Sequence, residues 1–286
     1  MVIANPIYDV VFKRLMEDER IAKFFIGTLL DETVDEVLVK PQEFTYTDKL
    51  AGLAVFRLDF IATIRTGNNE FKKVLIEIQK AKNSIDLMRF RNYLGEQYRK
   101  QDDIDGVNGK QKTALPIVTI YLLGFSLPEL ASAAVKVNRQ YIDLLTQQVI
   151  TAKSEFIEKL THDCYVVQMP RIQPRFQTKL ENLLSIFEQN YFIDENGIIK
   201  EYNHPINDET IKTMVDILHH AGTDPVAKKK IEDEQEAYRV MDLAVREKTE
   251  ELKSIISEKD KALVEKDKAL DEKDRLIEEL KRKLRE

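Results

Sequence analysis

The stretch FRLDFIATIRTGNNEFKKVLIEIQK, residues 56–80, decides the reading of the fold. Two runs rich in Ile, Val, Leu and Phe flank Gly67, Asn68 and Asn69. Their period of two predicts a hairpin with strands over 55–65 and 72–80. Alternation puts Phe56, Leu58, Phe60 and Ala62 on one face of the first strand, and Val55, Arg57, Asp59 and Ile61 on the other. On the second strand Val74, Ile76 and Ile78 share a face, and Lys73, Leu75, Glu77 and Gln79 share the opposite one. Turn length sets the register. A two-residue turn at Asn68-Asn69 places Asp59 opposite Ile78 and sends the apolar faces to opposite sides of the sheet. A three-residue loop, Gly67-Asn68-Asn69, places Asp59 opposite Glu77 and Arg57 opposite Gln79, and the apolar faces coincide. Gly and Asn accept the left-handed backbone that such a loop needs. The three-residue loop is therefore expected.

That register brings two carboxylates to about 5 Å between Cβ atoms, where like charges destabilise a sheet. A divalent cation between them relieves the repulsion. Mg²⁺ takes oxygen ligands, usually one or two protein carboxylates with several waters, and the backbone carbonyl of Ile78 offers a third protein oxygen. Such a hard-cation site suits phosphoryl chemistry. Ordinary ion pairing on a solvated sheet face suits the same residues: Asp59 with Arg57 or Arg65, and Glu77 with Lys73 or Lys80. The hairpin alone leaves both readings open.

Working outward, residues 6–30 read as a helix with Asn5 as its cap and Pro6 in the first turn. Residues 34–47 read as a strand. Residues 84–101 form a polar helix with Leu87, Phe90, Tyr93, Leu94 and Tyr98 on one side. LPIVTIYLLGF, residues 115–125, is a near-continuous apolar run, the pattern of a strand covered on both faces. After Pro128 a helical stretch, with interruptions, is expected to about residue 160. A strand over 164–172 and amphipathic helices over 175–192 and 207–221 follow, and GTDP at 222–225 marks a turn.

From about residue 225 the composition changes. Residues 225–286 hold 17 Lys/Arg and 18 Asp/Glu. EKDKALV (258–264), EKDKALD (265–271) and EKDRLIE (272–278) form a heptad repeat, and Ile256, Leu263, Leu270, Ile277 and Leu284 recur every seven residues. This predicts a long helix that pairs as a coiled coil. The second seam position is weak, with Ala262 and Ala269 on one side or Lys259, Lys266 and Lys273 on the other. A solvated single helix held by Glu–Lys pairs is the competing reading.

The chain has 286 residues, a net charge of −6 and one cysteine, Cys164. A single cysteine excludes a disulfide framework and a cysteine-ligated zinc site within one chain. The N-terminus shows no signal peptide, and no run of about 18 apolar residues marks a membrane span. A cytoplasmic protein with no membrane partner is expected. The net charge argues against a wholly polybasic nucleic-acid binder, but residues 65–112 carry a local excess, 11 Lys/Arg against 7 Asp/Glu.

Order and spacing together resemble the PD-(D/E)XK nuclease superfamily, and within it the Rpn-type recombination-promoting nucleases and transposases. The matching residues are Asp59 in one strand, Glu77-Ile78-Gln79 in the next, and Arg89, Tyr93, Tyr98 and Gln101 on the helix that follows. YDVVFKRLM at the start, with Asp9, Phe12 and Lys13, and the strand LPIVTIYLLGF extend the match over residues 5–125. The resemblance implies an α/β, restriction-endonuclease-like core, a mixed sheet flanked by helices, over 1–172. A helical region (173–224) and the long charged helix (225–286) follow. It implies Mg²⁺ or Mn²⁺ held by Asp59, Glu77 and the carbonyl of Ile78, with Asp59, Glu77 and Gln79 catalytic. Asp9 and Lys13 would be accessory, and Arg89, Arg91, Tyr93 and Gln101 would contact DNA, although Tyr93 and Tyr98 also suit a core. The implied activity is phosphodiester hydrolysis by a DNA endonuclease in recombination, transposition or defence, and the C-terminal heptads predict that it works as a homodimer or higher oligomer. The superfamily usually has Lys where this chain has Gln79, which carries no charge and cannot act as a base; the subfamily also shows Gln there. The alternative is an inactive nuclease-like protein that serves as a coiled-coil interaction or scaffolding module.

Overall fold

The computed structural model describes residues 1–48, 53–80, 84–106, 109–173, 175–195 and 197–284. The side chains of residues 40–48, 53–59, 84–86, 89, 105, 106, 109, 110, 241, 242, 245 and 279 lie outside that description. In chain order the elements are β1 (Val2–Ala4), α1 (Asp9–Met16), α2 (Glu19–Leu30), β2 (Val34–Asp48), β3 (Leu53–Thr66), β4 (Phe71–Gln79) and α3 (Ser84–Arg99). Then come β5 (Asp102–Gly106), β6 (Gly109–Thr113), β7 (Ile117–Leu123), β8 (Ala134–Val137), β9 (Tyr141–Ile142), β10 (Val149–Ile150) and α4 (Glu155–Leu160). The rest are β11 (His162–Gln168), α5 (Lys179–Ser185), β12 (Ile199–Glu201), α6 (Glu209–Thr223) and α7 (Pro225–Lys283).

The fold is mixed α/β. Its main sheet has six strands in the order β2-β3-β4-β7-β11-β8. β3 and β4 are antiparallel, β4–β7 and β7–β11 are parallel, and β8 runs antiparallel to β11. Parallel neighbours need a crossover, and α3 with the β5–β6 hairpin supplies it between β4 and β7. β7 is thus central, with strands on both sides and both faces covered, as its apolar run predicted.

The hairpin adopts the expected register. Phe60 pairs with Ile76, Ala62 with Val74 and Arg65 with Phe71. The loop is Gly67-Asn68-Asn69, closed by Thr66 N donating to Glu70 O at 2.9 Å, with Asn69 left-handed at φ 61°. Phe60, Ala62, Val74, Ile76 and Ile78 therefore share one face, which packs against the helical layer. Phe12, Phe25, Phe60 and Phe187 meet there with centroids 5.0–6.3 Å apart. The other face carries Ile61, Leu75 and Ile117 and is covered by Phe90 and Tyr93 of α3.

Two expectations are corrected. The helix over 6–30 is two helices. Asn5 is not the cap: its amide bonds Gln189 and the Gly197 carbonyl, and α1 begins at Asp9. The break falls at Asp18, whose carboxylate accepts from the amides of Arg20 (2.9 Å) and Ile21 (3.3 Å) and so starts α2. The stretch from 128 to 160 is mostly not helical. It holds β8, β9 and β10 before the short α4. Its strands are two to four residues long, too short to display a period.

The described residues group into two compact units: Met1–Thr47 with Ala54–Glu234, and Asp48–Leu53 with Gln235–Glu286. Segment 173–224 holds α5, β12 and α6, and Leu183, Phe187, Ile198 and Met214 belong to the core of the first unit. β12 pairs antiparallel with β1, tying this segment to the N-terminus. The first turns of α7 also belong to that unit, with Ala227 and Ile231 buried. Among the described residues, no helix is long and apolar enough to cross a membrane.

Candidate functional site

Glu77 sits two residues before the end of β4, on the face covered by α3. It is 3% exposed. Ion pairing on a solvated sheet face therefore does not describe its surroundings. Tyr121 is its partner across the parallel pair, and Phe90 of α3 packs on the Tyr121 ring at 4.4 Å. Burial, with Cys164 and Glu77 close by, raises the Tyr121 phenol well above its ordinary value. A buried carboxylate needs compensation by charge, hydrogen bonds or a metal.

Of the four cations that the sequence offers to Asp59 and Glu77, three bond other acids. Arg65 pairs with Glu36. Lys73, only 3% exposed, pairs with Asp102 at 2.8 Å. Lys80 pairs with Glu234 and stands 3.9 Å over the Tyr8 ring. The side chains of Arg57 and Asp59 lie outside the description. The backbone of Asp59 is in β3, directly before the described pair Phe60–Ile76.

Gln79 closes the motif strand. It is partly exposed, and its carbonyl accepts from Gly124 N at 2.8 Å. Residue 124 must be Gly: an added Cβ would stand 2.7 Å from both the Lys80 carbonyl and Ile7 Cδ1. The end of β4 is thereby held against the chain entering α1. Glu234 fastens the same corner, its carboxylate accepting from the amides of Asp9 (3.0 Å) and Val10 (3.1 Å) as well as from Lys80. An anion at a helix N-terminus is favourable.

The other sequence-derived residues divide. Ile78 is buried beside Leu122. Asp9 is buried at the start of α1. Lys13 does not face Glu77. It lines a cavity of about 250 Å³ with Met16, Val37, Val39 and Phe60, on the opposite side of the sheet. Arg91 and Gln101 are exposed and free to meet solvent-borne groups, whereas the Arg89 side chain lies outside the described residues. Tyr93 is corrected as a DNA contact: at 4% exposure, packed under α3 with Phe90, its ring has no open face for a base. Tyr98 is partly exposed and hydrogen-bonds His162 Nδ1 at 2.9 Å.

Three features escaped sequence reading. Asp102, the partner of the buried Lys73, sits in a hairpin with no apolar signal. Gln97 is 3% exposed, and its amide nitrogen has no hydrogen-bond partner among the described residues. Its spacing of four from Tyr93 and seven from Phe90 was the available clue to an inward position. Glu234 looks like any other acid in a charged helix. Among the described residues, no three His, Cys, Asp or Glu side chains come together as a metal cluster. No family model, curated protein or solved structure matches the chain.

Proposed function

We propose that the protein is a divalent-metal-dependent DNA endonuclease of the PD-(D/E)XK type, in which Asp59 and Glu77 hold Mg²⁺ or Mn²⁺. The observation that carries this reading is the hairpin register together with the burial of Glu77. The pairing Phe60–Ile76 lies one residue from both Asp59 and Glu77, and Glu77 is 3% exposed. The donor chemistry fits a hard cation, which needs only one or two protein carboxylates. When bound, such an ion supplies positive charge that polarises a phosphodiester and acidifies water.

The chain's own residues do the rest. Gln79, partly exposed at the strand end, would orient a water molecule or a phosphate oxygen by its amide. It cannot take a proton at neutral pH, so the proton must leave to water or to the substrate phosphate. Phe90, Tyr93 and Tyr121 wall the Glu77 side of the sheet with apolar surface, which strengthens electrostatic contacts there. Arg91 and Gln101 are exposed and suited to phosphate contacts. The competing reading, an inactive interaction module, draws support from the uncharged Gln79 and from the exposed apolar stripe of α7.

A plasmid-nicking assay with Mg²⁺ or Mn²⁺ separates the two. Cleavage by the wild-type chain should fall by about a hundredfold or more in Asp59→Ala and in Glu77→Ala, in the range seen when one charge-stabilising group is removed from an active site. Chelation should abolish it. Cleavage that survives both substitutions rejects this site, and no cleavage in the wild type favours the interaction module.

A further inference from the structure

Among the described residues, the helix of the second unit carries a long apolar face that is exposed. Ile256, Leu263, Leu270, Ile277 and Leu284 are 47–85% exposed, and Leu252 and Leu280, three or four residues from them, are 41% and 59% exposed. We propose that this face binds a second copy of the same helix, parallel and in register, as a two-stranded coiled coil. Lys259, Lys266 and Lys273 of each chain pair with Asp260, Asp267 and Asp274 of the other. The proposal concerns assembly and holds whether or not the core cuts DNA.

The layers argue for the orientation. Ile256, Leu263, Leu270, Ile277 and Leu284 occupy one seam position, and Leu252, Lys259, Lys266, Lys273 and Leu280 the other. In a parallel, in-register pair each layer faces its own copy. Every layer of the first set is then apolar, as are the Leu252 and Leu280 layers. In an antiparallel pair the two sets face each other. Over the same span Ile256 would meet Leu280, but Leu263 would meet Lys273, Leu270 would meet Lys266 and Ile277 would meet Lys259. Leu284 would meet Leu252, so the two ends stay apolar, but Leu263, Leu270 and Ile277, three of the seven apolar seam side chains, would each lie against an ammonium.

The lysines are the cost of the parallel arrangement, and the aspartates offset it. A seam side chain inserts into a hole of four residues on the facing helix. For this second position the hole includes the facing residue that follows it in sequence. That residue is Asp in each of the three heptads: Asp260, Asp267 and Asp274. All six of these charged residues are exposed in the single helix. The lysine stems cover the seam while their ammonium groups reach the opposing carboxylates. The ladder also sets the register. A slip of one heptad would bring Leu280 against Lys273 and Leu252 against Lys259. Polar seam residues specify register in this way at some loss of stability.

The test uses the full chain, whose mass is 33.3 kDa. Sedimentation equilibrium on the wild type should give twice that mass. One variant carries Asp260→Lys, Asp267→Lys and Asp274→Lys; a second carries Lys259→Asp, Lys266→Asp and Lys273→Asp. Each alone should run as a single chain, and an equimolar mixture should restore the dimer. Helix content by circular dichroism separates lost pairing from lost helix. For orientation, Ile256→Cys in a Cys164→Ser background should form a disulfide-linked dimer under mild oxidation. Cross-linking that requires mixing Ile256→Cys with Leu280→Cys would overturn the parallel arrangement. A wild type that is monomeric, trimeric or tetrameric, or single variants that still dimerise, would overturn the proposal.

Discussion

Burying Glu77 removes a carboxylate from water. Lys73 and Lys80, the bases that alternation and proximity offer it, are bonded to Asp102 and Glu234. At this scale the sequence was legible in residue type and face but not in partner. Alternation put Glu77 with Lys73 on one face, and the structure agrees, yet nothing local told that Lys73 belongs to Asp102. Lys200 makes the same point elsewhere in the core. It is 2% exposed, and its side chain donates to the carbonyls of Ile186 and Glu188, both at 2.6 Å. Burial lowers its pKa from 10.5 to about 7, with Glu188 opposing the shift. Between those values the unfolded chain holds a proton that the folded chain has shed, so stability rises with pH across that window. Below about 7 both states hold it and the dependence vanishes. The melting temperature should therefore rise from pH 7 to pH 9 relative to Lys200→Met, on the order of 1 kcal/mol of stability per pH unit. Parallel profiles for the two proteins would contradict the assignment.

At the scale of elements, the first turns of α7 and the end of β4 behave as one fastening. Glu234 accepts from two amides of α1 and from Lys80, and it is 13% exposed. Glu234→Ala leaves two helix-end amides and a largely buried ammonium without this acceptor. It should destabilise the core by about 2–3 kcal/mol, read by urea unfolding. Glu234→Gln, which keeps an oxygen for the amides, should lose less. A change in both variants too small to measure would mean that solvent replaces the contact. Elements with a sustained period were legible: β3, β4, α3, β7 and α7 all fall where the sequence put them. β8, β9 and β10 were not. Such short strands carry no period, and β8 is a strand because the edge of β11 pairs with it.

For the whole molecule, the change in composition near residue 225 suggests a boundary that packing does not respect. Ala227 (4% exposed), Ile231 (1%) and Glu234 belong to the first compact unit. A chain ending at residue 224 loses two buried apolar side chains and the Glu234 contacts. It should melt several degrees below a chain ending at residue 240, since 1 kcal/mol corresponds to roughly 2–4 °C for a domain of this size. Equal melting temperatures for the two would show that the boundary at 225 is real.

The sequence by itself determined the hairpin and its register, the faces of its side chains, the helix after it, and the long heptad helix. Each is a local pattern, because strand alternation, loop length and heptad spacing act over a few residues. Tertiary structure alone decided that Glu77 is buried, that Tyr93 is core, that Lys80 meets Glu234, and that β12 returns to pair with β1. Those contacts join residues up to about two hundred positions apart. A chain rich in both charges offers many equivalent partners at that distance, and only the packing of the sheet and helices selects among them.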